Sequence, residues 1–458
     1  MRMVYSWILV PCLTLVTGCS KTSLTGEGPQ PGPLARNLPT FQTPKSPEAV
    51  VAEKIEPTGD LSLVQALSLS LLHNPQLEAS AWQLSASEAA ILQNTLSPNP
   101  VLGLKVENVG GNGTLSEFDG AVTTLRISQA IELGDKRGRR TRLAQNEHTR
   151  SAWDYEAKRL NVIGETGRRT IDVLARQQEL ELAQQALKLA NDLRVIVEDR
   201  THQGVTPTSE LDKTLVQVTA RQIDLENKTQ ELKSSRQRLA AMWGSNTAQF
   251  SQLAGQLTDI HDIPVLDDLI RLVHRNPDMA RWSNEIALRK AAVDLSTARA
   301  IPNLTVGGGM RRFNATSQDA YVFELGMPLP LIDRNQGARR EARFNLLTAK
   351  ALQRDAQTTV HTRLNELHNT LCANHHAVTA LRDRSLPAAR SAFSAAQKAF
   401  QHGVTDYINV LDAERTLINT QYKYIDSLAA YHKTTITLEA FLGTSVSGKE
   451  ERSAKAKG

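Results

Sequence analysis

Long stretches of the chain repeat their apolar residues with the period of an α-helix. Strong helix formers dominate from 139 to about 200, and ~60 such residues predict a rod of ~90 Å. A second rod is predicted from 338 to 401 with a kink at Pro387, followed by a shorter helix over 406–442, and the first rod is followed by one over 209–243. The apolar stripe along the first rod is narrow and rich in small residues, so we expect a wall one helix thick. That stripe comprises Leu180, Ala183, Leu187, Ala190 and Val197.

Four shorter segments alternate apolar and polar residues, which is the period of a β-strand. They form two pairs, at about 101–133 and 303–329. Strands near ten residues long with one apolar face are typical of transmembrane β-barrels, whereas the alternative is a pair of periplasmic hairpins packed on helices. Four strands cannot close around water, so in a membrane they need other copies of the chain: three copies give twelve strands and a pore, two a narrow, plugged barrel. The apolar positions are Leu102, Leu104, Val106, Leu125, Ile127, Ile131, Leu133, Leu304, Val306, Met310, Tyr321, Phe323, Leu325 and Met327.

The second half of the chain repeats landmarks of the first half in the same order. Residues 202–206 (HQGVT) return as 401–405 (QHGVT), and a constant offset of about 200 residues predicts an internal tandem duplication. Each Gly lies where a left-handed cap would end a helix before a reversal. We therefore predict two repeats with exposed tips. The first repeat covers 61–258 with its tip at 202–207, the second covers 259–443 with its tip at 401–406, and 444–458 form a flexible tail.

The segment before the repeats resembles a lipoprotein leader. Residues 1–18 contain a basic Arg2 and an apolar run, as a signal peptide does. The following Cys19 completes a pattern similar to a lipobox, in which the cysteine is lipidated; the alternative is an ordinary signal peptide cleaved nearby. Residues 19–60 are rich in Pro, Gly, Ser and Thr in their central part and predict a tether or wrapping arm. The net charge of +5 is spread along the helices, so no nucleic-acid partner is predicted.

Candidate chemistry is sparse. We find no zincin, phosphate-loop or nucleophile-elbow motif, so we expect no enzymatic activity and no cofactor. On the second rod, thiolate and imidazole groups share one face, and such groups four residues apart can bind zinc. His368 and His376 are ~12 Å apart along the axis, so at most a partial site is feasible, and we favour a helix face packed on its neighbour. The candidates are His368, Cys372, His375 and His376.

Taken together, these motifs resemble the TolC family of outer-membrane factors over residues 61–443. The most specific stretch is 403–415 (GVTDYINVLDAER), which is similar to the family's turn into its last helix. Residues 127–137 (ISQAIELGDKR) and 328–337 (PLPLIDRNQG) resemble the cobalt-zinc-cadmium branch, which serves heavy-metal pumps of the resistance-nodulation-division (RND) class.

The resemblance implies a homotrimer with a twelve-stranded β-barrel in the outer membrane and a periplasmic α-barrel of long antiparallel helical hairpins. Its function would be the passive exit duct of a tripartite efflux system, opened by a periplasmic adaptor, energised by an inner-membrane RND pump and exporting heavy-metal cations. Two alternatives stay open: a duct for drugs or other small molecules, and a lipid-anchored coiled-coil scaffold, which would not need the strands.

The resemblance implies two roles for particular residues: gating of the entrance beside the second tip, and docking of the adaptor at both tips. Asp412 matches an aspartate that lines the narrow periplasmic entrance, and three symmetry copies of it would attract cations. The neighbouring family aspartate is Asn409 here, and the family's gate arginine falls on Thr405. The residues expected to dock the adaptor are Gly204, Val205, Thr206, Gly403, Val404 and Thr405.

Overall fold

Two long helical hairpins dominate the computed structural model, which describes residues 32–44 and 56–446. The prediction of a mostly helical chain with a small β part is confirmed. Among the described residues, we find no helix that is both long and apolar enough to cross a membrane. The helices are α1 (Leu63–His73), α2 (Pro75–Thr95), α3 (Lys136–His202), α4 (Thr208–Ala240), α5 (Leu266–Leu272), α6 (Pro277–Ala298), α7 (Gln336–Ala380), α8 (Leu386–Gln401) and α9 (Tyr407–Leu442).

The first hairpin is continuous and the second is interrupted. Helix α3 runs for 67 residues, which is ~100 Å at 1.5 Å per residue. Its counterpart in the second hairpin changes to a π-helical turn over Leu381–Ser385 before α8 begins. Pro387 lies in the first turn of α8, where it has no amide hydrogen to donate and its ring displaces the carbonyl four residues earlier. The interruption expected at Pro387 is therefore a wide turn on its N-terminal side.

The four predicted strands form one antiparallel sheet in the order β2-β3-β5-β6. Two hairpins, β2–β3 and β5–β6, meet through β3 and β5, which pair from Val122↔Phe313 to Ile131↔Leu304. The outer strands β2 and β6 have no further partner strand within the described part of the chain. The bounds are β2 (Val101–Glu107), β3 (Val122–Ile131), β5 (Leu304–Phe313) and β6 (Gln318–Gly326).

Alternation along the strands gives this sheet two unlike faces. On the face that we call apolar, Phe323 is 88% exposed and Tyr321 is 81% exposed, which is unusual for aromatic side chains in water. The opposite face, which we call polar, carries most of the charges. The apolar face includes Leu102, Leu104, Leu125, Ile127, Val306, Met310, Tyr321, Phe323 and Leu325; the polar face includes Lys105, Glu107, Thr124, Arg126, Ser128, Arg311 and Glu324.

The largest core lies where α3, α4, α7 and α9 run side by side near the middle of the molecule. Leu239 near the end of α4, Trp243 in the short 3-10 turn that follows it, and Leu428 on α9 are fully buried there. A short parallel pair, β1 (Gly59–Leu61) with β4 (Phe250–Leu253), covers one side of this core. The sequence did not predict this pair, because strands of three and four residues are too short to show a period.

Residues 32–44 lie against the helices. The amide of Gly32 donates to Glu156 Oε1 at 2.8 Å, and Arg159 Nη1 donates to the carbonyl of Leu34 at 3.0 Å. Glu156 and Arg159 are both buried and form an ion pair of 2.8 Å. A buried pair of this kind is stable only when its remaining polar atoms are hydrogen-bonded, and the backbone of this arm provides those partners.

The same helix cap occurs in both halves of the chain. Asn74 caps α2 and its Nδ2 donates to the carbonyl of Met242 at 2.8 Å. Asn276 caps α6 and its Nδ2 donates to the carbonyl of Phe441 at 2.7 Å. Each asparagine precedes a proline at the first helical position, where a missing amide hydrogen costs nothing. The tandem duplication and its repeat boundaries remain predictions, and the matching caps support them.

Candidate functional site

The two hairpin tips have the same backbone turn. The amide of Val205 donates to the carbonyl of Arg200 and the amide of Val404 to that of Ala399, both at 2.9 Å. Gly204 has a φ of 73° and Gly403 a φ of 74°, a left-handed conformation that glycine adopts without steric cost. Each predicted tip glycine therefore lies at the turn that ends a long helix.

The side chains at the tips are only partly alike. Val205 is 60% exposed and Val404 is 79% exposed, so both apolar groups face solvent at the same end of the molecule. Thr206 is buried, whereas Thr405 is half-buried and its Oγ1 accepts a hydrogen bond of 2.7 Å from Asn409 Nδ2. The local bond between Thr405 and Asn409 closes the first turn of α9.

Arg200 joins the two tips. Its Nη1 donates to the carbonyl of Phe400 at 3.0 Å and to that of Gln401 at 3.3 Å. Its guanidinium carbon lies 4.8 Å from the centroid of the Phe400 ring, and its Nε donates to Thr206 Oγ1 at 3.3 Å. The accepting carbonyls end helix α8, where the helix dipole favours a cation. One side chain thus holds the end of the second hairpin against the first.

Farther from the tips, long polar side chains bridge α4 and α9. Arg221 Nη2 lies 3.2 Å from Glu414 Oε1, and the hydroxyl of Tyr422 donates to Asp224 Oδ2 at 2.9 Å. Glu414 is fully buried, and its Oε2 has no hydrogen-bond partner in the described structure. Burial raises the pKa of Glu414 above its ordinary value, although the nearby Arg221 opposes the shift. The two hairpins are therefore linked by a small number of polar bonds, one of which is incomplete.

Asn409 and Asp412 lie on exposed parts of α9, in its first and second turns from the tip respectively. Asp412 forms no ion pair or side-chain hydrogen bond with any described residue of its own chain. A carboxylate that is not engaged on its own helix is available to an aqueous lumen or to another subunit. On the inner side, Tyr407 packs edge-on against Phe400 with ring centroids 6.0 Å apart, and burial raises its pKa to about 12.

The histidine and cysteine face of α7 makes ordinary packing contacts. Cys372 Sγ lies 3.9 Å from both ring nitrogens of His368, and His368 Nε2 lies 3.2 Å from the carbonyl of Pro264. His375 packs against the ring of Tyr431 on α9. Across the described ranges we find no group of three or more His, Cys, Asp or Glu side chains that could hold a metal ion.

The lipidation predicted at Cys19 lies outside the described residues. Two residues that connect the hairpins, Arg200 and Glu414, were not predicted from the sequence. The predicted duplication offers a signal for both: at an offset of 403 − 204 = 199 residues, Ala399 corresponds to Arg200 and Leu215 to Glu414. A charged residue that replaces an apolar one between equivalent helices indicates a contact formed by only one copy.

Comparison with known proteins agrees with this architecture. The family model described as "Outer membrane efflux protein" matches residues 66–245 and 270–444. The chain belongs to this family. This match confirms the resemblance to the TolC family, and the 28% identity to a cobalt-zinc-cadmium resistance protein confirms the branch.

Two curated relatives and one solved structure illustrate the similarity. The chain is 28% identical over 411 residues to the cobalt-zinc-cadmium resistance protein CzcC of Cupriavidus metallidurans, covering 90% of this chain and 96% of the relative. It is 23% identical over 307 residues to the nickel-cobalt-cadmium resistance protein NccC of Alcaligenes xylosoxydans, covering 66% and 69%. A crystal structure of CusC superimposes with a TM-score of 0.70 at 16% identity, covering 89% of this chain and 99% of that one, which shows a shared fold.

Proposed function

We propose that this outer membrane efflux protein is the passive exit duct of a tripartite RND-type system and that it exports heavy-metal cations. It would act as a homotrimer in the outer membrane and reach into the periplasm, where an adaptor protein connects it to an inner-membrane pump. Energy would come from the pump, so the duct itself needs neither an enzymatic site nor a cofactor.

The open sheet is the observation that carries the proposal. Its apolar face exposes aromatic and aliphatic side chains, and its edge strands have no partner within the described residues of one chain. Both features are costly in water and favourable in a closed transmembrane barrel. Three copies would supply twelve strands with the polar face inward. An all-helical scaffold would have no use for such a sheet.

The helical hairpins are suited to a tunnel through the periplasm. Helix α3 alone is ~100 Å long at 1.5 Å per residue, and its apolar stripe is narrow. Its buried stripe residues include Ala183, Ala190 and Val197, so a wall one helix thick can have water on both sides. The exposed Val205 and Val404 at the tips would then dock the adaptor, together with Gly204, Gly403 and Thr405. The buried Thr206, which was also predicted to dock, would instead support the turn through its bond to Arg200.

The narrow entrance would lie beside the second tip. Asp412 is exposed and unpaired within the described chain, and three copies around an axis would make an acidic ring that attracts cations. Asn409 would occupy the next position toward the tip, where it bonds to Thr405. Opening of the entrance would require the second hairpin to move relative to the first, and the contacts of Arg200 and Glu414 oppose that movement.

Lipid attachment at Cys19 would add an anchor to the barrel. The arm at 32–44 is held on α3 by Glu156 and Arg159. From there, 13 residues back to Cys19 can span ~45 Å when extended, which exceeds the ~35 Å rise of α3 between Lys136, beside the sheet, and Arg159. An acyl chain on Cys19 can therefore reach the membrane in which the sheet would lie.

Heavy-metal cations are the favoured cargo because CzcC and NccC, by their names, confer resistance to cobalt, zinc, cadmium and nickel. The proposal is tested in two steps. Purified full-length protein should have three times the protomer mass by light scattering in detergent and should form conducting pores in planar bilayers. A non-conducting monomer would contradict the duct.

The second step concerns the cargo. Deletion of the gene in its own host should lower the tolerated concentrations of Zn²⁺, Co²⁺ or Cd²⁺, and re-expression should restore them. Sensitivity to drugs with unchanged metal tolerance would contradict the metal assignment while leaving the duct intact.

A further inference from the structure

The polar face of the sheet has an excess of positive charge. Its strand residues include three cations, Lys105, Arg126 and Arg311, and two carboxylates, Glu107 and Glu324. The difference, 3 − 2, is one positive charge per chain. The loop carboxylates Glu117 and Asp119 lie beyond the strands and are exposed.

Two of the three cations are neutralised on this face. Lys105 Nζ lies 2.6 Å from Glu107 Oε1. Arg126 Nη1 lies 2.5 Å from Glu324 Oε2, although their strands β3 and β6 are separated by β5. The ion pair crosses β5 where glycines leave room for it, since Arg126 pairs with Gly309 in the sheet register.

Arg311 is the remaining cation. Its Nε donates to Thr124 Oγ1 at 3.0 Å, and Thr124 is buried beneath it. A hydroxyl group fixes the guanidinium without neutralising it. Among the described residues Arg311 forms no ion pair within 4.0 Å, and Glu107, which feels its charge, is already paired with Lys105.

The adjacent arginine is in the opposite situation. Arg312 points to the apolar face, as alternation requires, and its Nη1 lies 3.2 Å from Asp319 Oδ1 on the neighbouring strand. Charge is thus neutralised on the face that would meet lipid headgroups and retained on the face that would meet water. The two neighbouring arginines form a natural matched pair.

Arg311 also lies at a defined end of the sheet. Strand β5 begins at Leu304, after helix α6, and ends at Phe313, so Arg311 is near the end that is distant from the helices. In the proposed orientation this end faces the cell exterior. Asp412, in contrast, lies by the periplasmic tips.

We propose that Arg311 is a selectivity residue at the exit of the channel, where three copies form a positive ring that disfavours the entry of cations from outside. This inference rests on the proposed trimeric duct. Charged rings filter small ions of the same sign, and their range grows from ~3 Å at 1 M salt to ~30 Å at 0.01 M. The ring supplies no energy, so it raises the barrier to cations in both directions, and its measurable effect is a lower permeability to cations relative to anions.

The test is ion selectivity of the purified full-length protein in planar bilayers under a low-salt KCl gradient. Arg311→Gln should shift the K⁺/Cl⁻ permeability ratio toward K⁺ by about twofold or more. Arg311→Lys should retain the wild-type ratio, because it keeps the charge. The control is Arg312→Gln with Asp319→Asn, which removes a neutral pair from the other face and should change nothing.

Salt dependence gives a second measurement on the wild type and Arg311→Gln. The difference between their permeability ratios should disappear between 0.01 M and 1 M KCl as screening shortens the range of the ring. A conducting Arg311→Gln pore with the wild-type ratio, or an equal shift in the Arg312 control, would overturn the inference and leave the duct standing. Absence of any wild-type conductance would instead refute the duct and the exit ring together.

Discussion

The two hairpin tips have the same backbone turn but different side chains. Both tips turn through a left-handed glycine with the same hydrogen bond of 2.9 Å. Arg200 at the first tip corresponds to Ala399 at the second, and Lys213 corresponds to Asp412. Both hairpins therefore share the shape of the turn, which we propose docks the adaptor, whereas they differ in the sign of their charge and in the side chain that bonds the tips together.

The same contrast extends along the helices. The first hairpin has the unbroken α3, and the second has a π-helical turn at Leu381–Ser385. Arg200 and Arg221 of the first hairpin donate to acceptors of the second, namely backbone carbonyls and Glu414. In the proposed duct the first hairpin would therefore be the support, and the second would be the element that moves when those bonds break.

The largest effect is expected from Gly403→Val at the second tip. A β-branched residue at a φ of 74° is disfavoured by about 2 kcal/mol, so the turn should open and the Val404 surface should change shape. We expect adaptor-dependent metal efflux to be lost while the trimer and its conductance remain. Growth on Zn²⁺ and bilayer recordings measure these two properties separately.

Two substitutions control for this result. Gly403→Asn should be milder, since asparagine tolerates the left-handed region. Gly204→Val tests whether the tips are equivalent, because a Cβ atom at Gly204 would meet no neighbour within 4 Å and the strain would again be conformational. Normal efflux by both valine variants would contradict docking at the tips.

Arg200→Ala should have the next largest effect. It removes two hydrogen bonds to the carbonyls of Phe400 and Gln401 and a cation–π contact, at a cost of about 1 kcal/mol. The second tip should then separate more readily, and single-channel recordings should show more frequent or larger openings. Arg194→Ala is the control, because within the described ranges Arg194 pairs only with Glu198 on its own helix. Equal behaviour of the two variants would show that Arg200 does not act on the gate.

The sequence predicted the periodic parts of this molecule well. The 67-residue α3 and the alternating strands have strong, repeated patterns, and the glycines of both tips could be recognised from the repeat itself. Pro387 predicted the position of a break, but not its form as a π-turn. The local pattern of apolar and polar residues does not predict short strands such as β1 and β4, because their pairing depends on residues that are distant in the sequence.

Contacts between the hairpins were the least predictable feature. Arg200 meets Phe400 across 200 residues and Arg221 meets Glu414 across 193, and neither contact follows from local periodicity. Glu414 lies among the apolar residues Val410, Leu411, Leu417 and Ile418 on α9. A carboxylate on the apolar face of a predicted helix indicates either that the buried face has been assigned wrongly or that the carboxylate has a specific buried partner.

Glu414→Gln tests whether burial of the charged Glu414 carboxylate beside Arg221 lowers the stability of the folded protein. The pKa of Glu414 is raised in the folded protein, so the folded state prefers the protonated carboxyl, and wild-type stability should increase as pH falls from 7 toward the ordinary range of glutamate. Glutamine mimics the protonated form and should match or exceed wild-type stability at pH 7, by up to about 1 kcal/mol.

Thermal unfolding in detergent between pH 5 and 7.5 measures this difference. The advantage of Glu414→Gln should shrink as pH falls, whereas Glu198→Gln, at a carboxylate that is 38% exposed, should follow wild type throughout. A variant that is less stable than wild type at pH 7 and equally unstable at pH 5 would show that the charged bridge to Arg221 stabilises the fold.

The smallest effect on stability, and the clearest distinction between the tips, is expected from Asp412→Ala. Asp412 forms no bond within the described chain, so the melting temperature should not change. Its loss should nevertheless reduce the cation preference of the pore and its block by multivalent cations added on the periplasmic side, because the acidic ring disappears. Lys213→Ala, at the equivalent position of the first hairpin, is the matched control. If both variants keep the wild-type ion preference, the second hairpin does not carry the charged entrance, and the difference between the tips concerns bonding alone.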